Sequence, residues 1–203
     1  MKALVVFCHP YGESFSSGIL QTVLETLEAS GAETRCFDLY KDGFEPGLTE
    51  TEFTTYLTPK IECPQLNRYI DTLKWCDALF FVYPTWWYGL PALLKGWLDR
   101  VLVPGVAFDI PPDGDIEPRL THIMSLGVFT TCGASRKLTW FVGAPGKRTL
   151  LRGVRLLCHP RCRSVYAAHY SMDASTDLSR REHIQTVERK LAGFLRKQMR
   201  HAA

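Results

Sequence analysis

The sequence predicts an α/β fold: a doubly wound, five-stranded parallel sheet of order 2-1-3-4-5, with helices on both faces. Three observations predict it. Five short apolar runs recur along the 203 residues, separated by helix-period segments. No internal repeat, low-complexity tract or long linker breaks the alternation, so a single domain, residues 1–203, is expected. Unusual loops follow the first, third and fourth runs, where sheets of this kind hold their ligands.

The elements follow in order. Strand one is read at Ala3–Cys8. The next helix carries Ile19, Leu20, Val23, Leu24 and Leu27 on one face; Ser14, Ser16 or Ser17 caps its start and Gly31 ends it. Strand two is Glu33–Leu39. Residues 41–64, with Gly43, Pro46, Gly47, Pro59 and Pro64, read as irregular around a short helix near 49–56. A helix at Gln65–Trp75 leads to strand three, Ala78–Val82. Pro91 opens the following helix, where a missing N–H costs nothing, with Leu94, Leu98, Val101 and Leu102 as its buried stripe and Pro104-Gly105 as its stop. Residues 106–118 read as loop, since Pro111-Pro112-Asp113-Gly114 is turn chemistry. Strand four is placed at Thr121–Val128, helices near 137–142 and 146–157, and strand five at Arg163–Tyr170. The last helix starts near Ser179, with Glu182 completing a capping box, and buries Ile184, Val187, Leu191 and Phe194.

Composition bounds the function. With 46% apolar and 22% charged residues the chain has ample material for a core. No apolar run approaches the ~20 residues that span a bilayer, and Met1–Cys8 is too short to be a secretory signal before His9-Pro10. The expected compartment is the cytoplasm, without direct membrane insertion. Seven cysteines, an odd number at irregular spacing, argue against a disulfide framework and for buried free thiols. Cys158-His159-Pro160-Arg161-Cys162 lacks a second ligand pair at a usual spacing, so no metal site is expected.

The net charge of +3 is unevenly spread. Residues 1–117 hold 8 basic and 17 acidic residues, whereas 118–172 hold nine basic and no acidic one. Such a block, with Arg136, Lys137, Lys147, Arg148, Arg152, Arg155, Arg161 and Arg163, suits an anionic ligand, an acidic partner surface or a solvated face. No nucleic-acid motif accompanies it.

Three loops carry the chemistry. His9-Pro10-Tyr11-Gly12-Glu13-Ser14-Phe15-Ser16-Ser17 places hydroxyls and backbone N–H groups before a helix N-terminus, which suits phosphate. There His9 is either a donor or a structural histidine. Pro84-Thr85-Trp86-Trp87-Tyr88-Gly89-Leu90-Pro91 presents aromatic faces and free amides at a sheet edge; it is either a seat for a flat, hydrogen-bonding cofactor or a packed apolar loop. Thr130-Thr131-Cys132-Gly133-Ala134-Ser135 adds small-residue backbone contacts. Gly143–Thr149 mimics a phosphate loop but has Arg148 where Ser or Thr is required. No nucleophile elbow or H-E-x-x-H motif is present, so hydrolysis has no visible centre.

Pro84 to Val101, together with His9-Pro10, Ser14-Phe15-Ser16 and Thr130-Thr131, resembles the signature of the flavodoxin-like NAD(P)H:quinone reductases, over roughly residues 3–135. That family includes DT-diaphorase, modulator-of-drug-activity reductases and the ancillary reductases of potassium efflux. The resemblance implies a flavodoxin-like three-layer fold, a homodimer, FAD or FMN as cofactor, NAD(P)H as reductant, and ping-pong two-electron reduction of a quinone-like acceptor. It implies that His9, Ser14, Phe15, Ser16 and Ser17 hold the flavin tail. Pro84, Thr85, Trp86 and Trp87 would hold the ring, with Trp87 stacked on it, and Thr130, Thr131 and Gly133 would bound the pyrimidine side. Tyr88 and Trp140 would face the shared nicotinamide and quinone pocket.

The chain departs from that family at one place. Cys132 stands where many relatives have a glycine, Leu138 stands about where they have a tyrosine, and no histidine is near. No catalytic side chain is therefore assigned; Arg136, Lys137 and Trp140 are the candidates to replace the pair. The rival readings are a flavodoxin-type electron carrier and a regulatory flavoprotein subunit of a membrane transporter.

Overall fold

Strands that are apolar on both faces need a layer on each side, and this sheet has two. The structure, a computed structural model, describes residues 1–57, 63–112 and 114–202, with side chains through Gln198. Pro59 of the irregular stretch and Asp113 of the proline turn lie outside the described residues. The main sheet joins β1 (Lys2–Phe7), β2 (Glu33–Asp38), β3 (Ala78–Thr85), β6 (Ser125–Cys132) and β7 (Arg163–His169). Its spatial order is β2-β1-β3-β6-β7 and every pairing is parallel, which is the 2-1-3-4-5 order read from the sequence.

Alternate residues of β3 face opposite layers. Phe80 and Val82 pack with Ile19, Val23 and Leu27 of α1 (Phe15–Ala29) and with Val187, Leu191 and Leu195 of α7 (Asp177–Ala202). Leu79, Phe81 and Tyr83 pack with α3 (Pro64–Trp75), with Leu94, Trp97 and Val101 of α4 (Ala92–Val101), and with Leu150 and Val154 of a π-helical segment, Thr149–Val154. Each such large side chain contributes ~1.5–3 kcal/mol through burial. Gly127 on β6 makes room for Phe80: a Cβ there would lie 2.2 Å from the ring.

The irregular stretch after β2 is pinned to α4. The short helix α2 (Glu50–Thr54) is capped by Thr49, whose amide and hydroxyl both donate to Glu52 while its hydroxyl receives the Glu52 amide. Buried Arg100 donates to the Glu52 carboxylate at 2.8 and 2.9 Å and to the Glu45 carbonyl. Burial pushes the Glu52 carboxyl up, but the bonds from Thr49 and Arg100 outweigh it and hold the group below its ordinary range.

Several boundaries differ from expectation. β3 runs through Thr85 instead of stopping at Val82. Even-numbered residues of β3 face β1, as the bond from the Cys8 amide to the Val82 carbonyl shows. Pro84 therefore turns its missing N–H to the side where β1 has already ended. Strand four begins four residues later than expected and continues to Cys132, so Thr130 and Thr131 are buried strand residues in register with Tyr83 and Pro84. Pro91 is the N-cap of α4, one residue before its first turn. The stretch 106–118 contains a small antiparallel pair, β4 (Phe108–Asp109) with β5 (Glu117–Pro118). The cap of α7 is a reciprocal Thr176–Ser179 pair, in place of the Ser179–Glu182 box. Ile184 and Phe194 are only partly buried, and Leu195 takes the deeper place. All seven cysteines are free, but Cys36 is exposed and Cys63 half-buried.

Candidate functional site

The carboxyl ends of β1, β3 and β6 are neighbours, so the three loops singled out in the sequence meet at one edge. At the first, Ser14 caps α1: its hydroxyl accepts the Ser17 amide at 3.1 Å and lies 2.9 Å from the Ser17 hydroxyl. The amides of Phe15 and Ser16, the first of the helix, have no acceptor among the described residues. They are donors aimed out of a helix N-terminus, as a phosphate requires. Burial lowers the pKa of His9, so its ring is neutral at pH 7. His9 Nδ1 lies 3.0 Å from both the amide and the carbonyl of Tyr11, so the ring folds back on its own loop.

The Phe15 ring turns toward α7. It packs edge-on against His169 at 5.3 Å and near His183 at 6.1 Å, between α1 and α7. The Ser16 side chain is buried as well. Both residues face the site through backbone, not side chain.

At the second loop, Trp86 and Gly89 bridge each other, and the Gly89 amide donates to the Trp86 carbonyl at 2.9 Å. The two residues between them, Trp87 and Tyr88, have φ of +48° and +61°. Both values are those of a type I′ turn, which normally takes Asn and Gly. Two aromatic residues held there cost about 1 kcal/mol or more each. The return is geometric: the Trp87 ring is 94% exposed, and the Trp87 and Tyr88 amides have no backbone acceptor among the described residues. An open indole face beside two free donors suits a flat ring with polar edges, and with the phosphate donors of the first loop the set fits a flavin.

The turn is held from behind. Gly146, in α6 (Pro145–Arg148), packs so closely that a Cβ would lie 3.2 Å from the Gly89 carbonyl carbon and 3.3 Å from the Tyr83 hydroxyl. Under the turn, Thr85 and Thr130 share a hydroxyl bond of 2.9 Å, with the buried Tyr83 ring beside them on β3. Burial drives the Tyr83 pKa upward, so this phenol stays a neutral hydroxyl. Tyr83 and Gly146 were missed in the sequence: the first reads as a core strand residue, the second as part of a failed phosphate loop. A glycine just after a proline at a helix start was the available signal.

At the third loop Gly133 is exposed, but a Cβ on it would lie 2.9 Å from Asp173 Oδ2. Asp173 sits on a short 3₁₀ turn, Met172–Ala174, tied to the loop by the Ser171 amide on the Ala134 carbonyl at 3.1 Å. Cys132, in place of the family's glycine, is buried with Sγ 3.5 Å from the Thr139 hydroxyl. Trp140 lies on α5 (Arg136–Phe141), 80% exposed, and no ring contact joins it to Trp87 among the described residues. The basic block divides: Arg136, Lys137, Lys147 and Arg148 lie on α5 and α6 beside this edge, while Arg152, Arg155, Arg161 and Arg163 lie toward the opposite end of the sheet. Among the described residues no cluster of three metal-ligating side chains occurs.

The chain belongs to the flavodoxin-like fold family Flavodoxin_2, whose model matches residues 1–191. It is similar to the ribosyldihydronicotinamide dehydrogenase (quinone) of Rattus norvegicus, 32% identical over 154 residues that cover 68% of this chain and 66% of that protein. The chain spans about half to two thirds of the length of the curated relatives that it matches first. Among solved structures, Smu.1420 from Streptococcus mutans UA159 superposes with a TM-score of 0.82 at 27% identity, covering 95% of this chain and 100% of that one. An FMN-dependent NADH-azoreductase from Bacillus anthracis str. Ames Ancestor, in complex with FMN, shares the fold with a TM-score of 0.75 at 13% identity, covering 97% and 98%.

Proposed function

We propose that the protein is a flavin-dependent NAD(P)H oxidoreductase that reduces quinones or similar acceptors by two electrons. The strained Trp86–Gly89 turn carries this reading: it keeps an indole face and two amides open at the carboxyl edge of the central strands. The quinone dehydrogenase name of the rat relative and the FMN held by the Bacillus azoreductase support it.

A bound FAD or FMN supplies the hydride chemistry. The rest falls to the chain. The Phe15 and Ser16 amides and the Ser14 and Ser17 hydroxyls hold the phosphate tail, with His9 in the same loop beside them. Trp87 covers one face of the ring, and the Trp87 and Tyr88 amides orient its polar edge. The Thr85–Thr130 hydroxyl bond and the buried Tyr83 keep the floor of the site rigid, while Thr131 and Gly133 bound the far side. Arg136, Lys137, Lys147 and Arg148 draw an anionic dinucleotide to the mouth.

The exposed Trp140 and Phe141 beside this mouth favour a homodimer that covers them. The chain then acts as one flavodoxin-like domain in the cytoplasm; no helix among the described residues is long and apolar enough to cross a membrane. The test is reconstitution of the purified chain with FMN or FAD. A yellow protein whose colour NAD(P)H bleaches and a quinone restores is the expected result. Protein that stays colourless with either flavin refutes the reading, and bound flavin that NAD(P)H fails to reduce points to a carrier.

A further inference from the structure

Half of the basic block takes no part in the flavin edge. Arg152 and Arg155 lie toward the other end of the sheet, on the helical stretch that runs from the π-helical segment to the turn before β7. Leu151 and Arg155 are four residues apart, as are Arg152 and Leu156, so the four share one helix face. That face carries two cations and two leucines, and Leu156 is 75% exposed. With Pro118, Cys158, His159 and Pro160 it lines an open groove of about 750 Å³.

The walls of the groove are fixed by backbone bonds. Cys158 bridges Leu120, the His159 amide reaches the Ile123 carbonyl at 3.2 Å, and the Cys162 amide donates to the His159 carbonyl at 2.7 Å. Arg155 Nε donates to the Cys162 carbonyl at 2.8 Å. That bond holds the guanidinium in place and leaves its two terminal nitrogens without an acceptor among the described residues. His159 Nδ1 accepts the Arg161 amide at 3.0 Å, which leaves Nε2 of the same ring to donate. Neither Arg152 nor Arg155 has a carboxylate partner among the described residues, and no acidic residue lines the groove. Two like charges one helical turn apart repel unless an anion lies between them. A planar guanidinium fork matches a carboxylate, and the leucine and proline walls around it favour hydrocarbon. A small inorganic anion would meet the cations and leave those walls wet.

We infer that this groove is a binding site for a carboxylate carried on an apolar chain, a medium-chain fatty acid in its simplest form. Arg152 and Arg155 hold the head, His159 adds a donor, and Leu151, Leu156 and the prolines cover the chain. Both halves of the ligand are needed. An alcohol of the same length leaves the two cations without a counter-ion, and a short carboxylate leaves the leucines in water. The groove lies at the opposite end of the sheet from the Trp87 turn, so the inference stands whether or not the chain uses a flavin.

The test titrates the full chain with octanoate, hexanoate, acetate and octanol by calorimetry, and follows its backbone amides by proton–nitrogen NMR. Octanoate should bind about tenfold or more tighter than acetate or octanol, and about two- to fourfold tighter for each methylene it has over hexanoate. The amides that shift should be those of residues 151–159, with Trp87 and Tyr88 unmoved. Arg152→Gln should weaken octanoate about threefold or more, and Leu156→Asp, which sets a like charge beside the head, at least as much. Both side chains are on the surface, and the chain-length series on the wild type stands without either variant. The inference is overturned if octanoate binds no tighter than acetate, the behaviour of a solvated basic face, or if octanol binds as tightly. Shifts centred on Trp87 and Trp140 overturn it too, since the ligand then sits at the flavin edge. So does a groove indifferent to octanoate in a chain whose oligomer Leu156→Asp breaks, since a second copy then fills it.

Discussion

His183→Phe is expected to flatten the acid side of the stability profile. His183, on α7, meets the His169 ring edge-on at 5.1 Å and lies near Phe15, so three rings close the gap between α1, β7 and α7. His183 Nε2 and His169 Nδ1 are buried without a hydrogen-bond partner among the described residues. Burial, the neighbouring His169 and Lys190 lower the His183 pKa from its ordinary 6.5 to about 4. His169 is lowered in the same direction, by burial and by Arg180. As pH falls from about 6.5 towards about 4, the unfolded chain takes up a proton on His183 that the folded chain refuses, so stability is lost across that window. At 1.36 kcal/mol per pKa unit the loss is about 3 kcal/mol for His183 alone. Phenylalanine keeps the ring contact and removes the proton. Urea unfolding followed by circular dichroism at pH 7 and pH 4 should show the wild type losing about 3 kcal/mol more than the variant; titrations common to both cancel in the difference. At pH 7 the variant should be at least as stable, since it buries no unpartnered nitrogen. Parallel profiles for the two proteins would refute the reasoning.

Trp87→Ala should weaken flavin binding about tenfold or more, the worth of a stacked aromatic contact, while leaving the urea midpoint unchanged because the ring is exposed; flavin fluorescence titration measures the first. Gly146→Ala introduces a methyl 3.2 Å from the Gly89 carbonyl carbon. It should shift the turn and lower flavin affinity several-fold at a stability cost of about 1 kcal/mol. Arg100→Met leaves the Glu52 carboxylate and the Glu45 carbonyl without their buried donor and should cost about 3 kcal/mol in urea unfolding. Glu52→Gln, which keeps an acceptor for Arg100, should cost less.

Strand order was legible because apolar runs bounded by glycine and proline alternate with 3.6-period segments, and that pattern admits few topologies. What local pattern could not give was where β3 and β6 stop. Pro84 reads as a strand end, yet it is tolerated within a strand that has outrun its neighbour on one side, a tertiary fact. Thr130 and Thr131 read as loop because small polar residues favour turns, but their ladder to β3 overrides that preference. The aromatic motif singled out the Trp86–Gly89 loop, but its left-handed backbone at Trp87 and Tyr88 ran against what those residues prefer and was invisible. The ring of Phe15 packs between α1 and α7, so the group it offers to the loop is its amide, which residue type alone does not reveal. Arg100 and Glu52 are far apart in sequence and carried no signal of their pairing.

The most direct measurement is a crystal structure of the chain with FMN or FAD bound. The predicted result has the ring against Trp87, its polar edge on the Trp87 and Tyr88 amides, and the phosphate on the Phe15 and Ser16 amides. A flavin seated elsewhere, or one that leaves the Trp86–Gly89 turn untouched, would contradict the account.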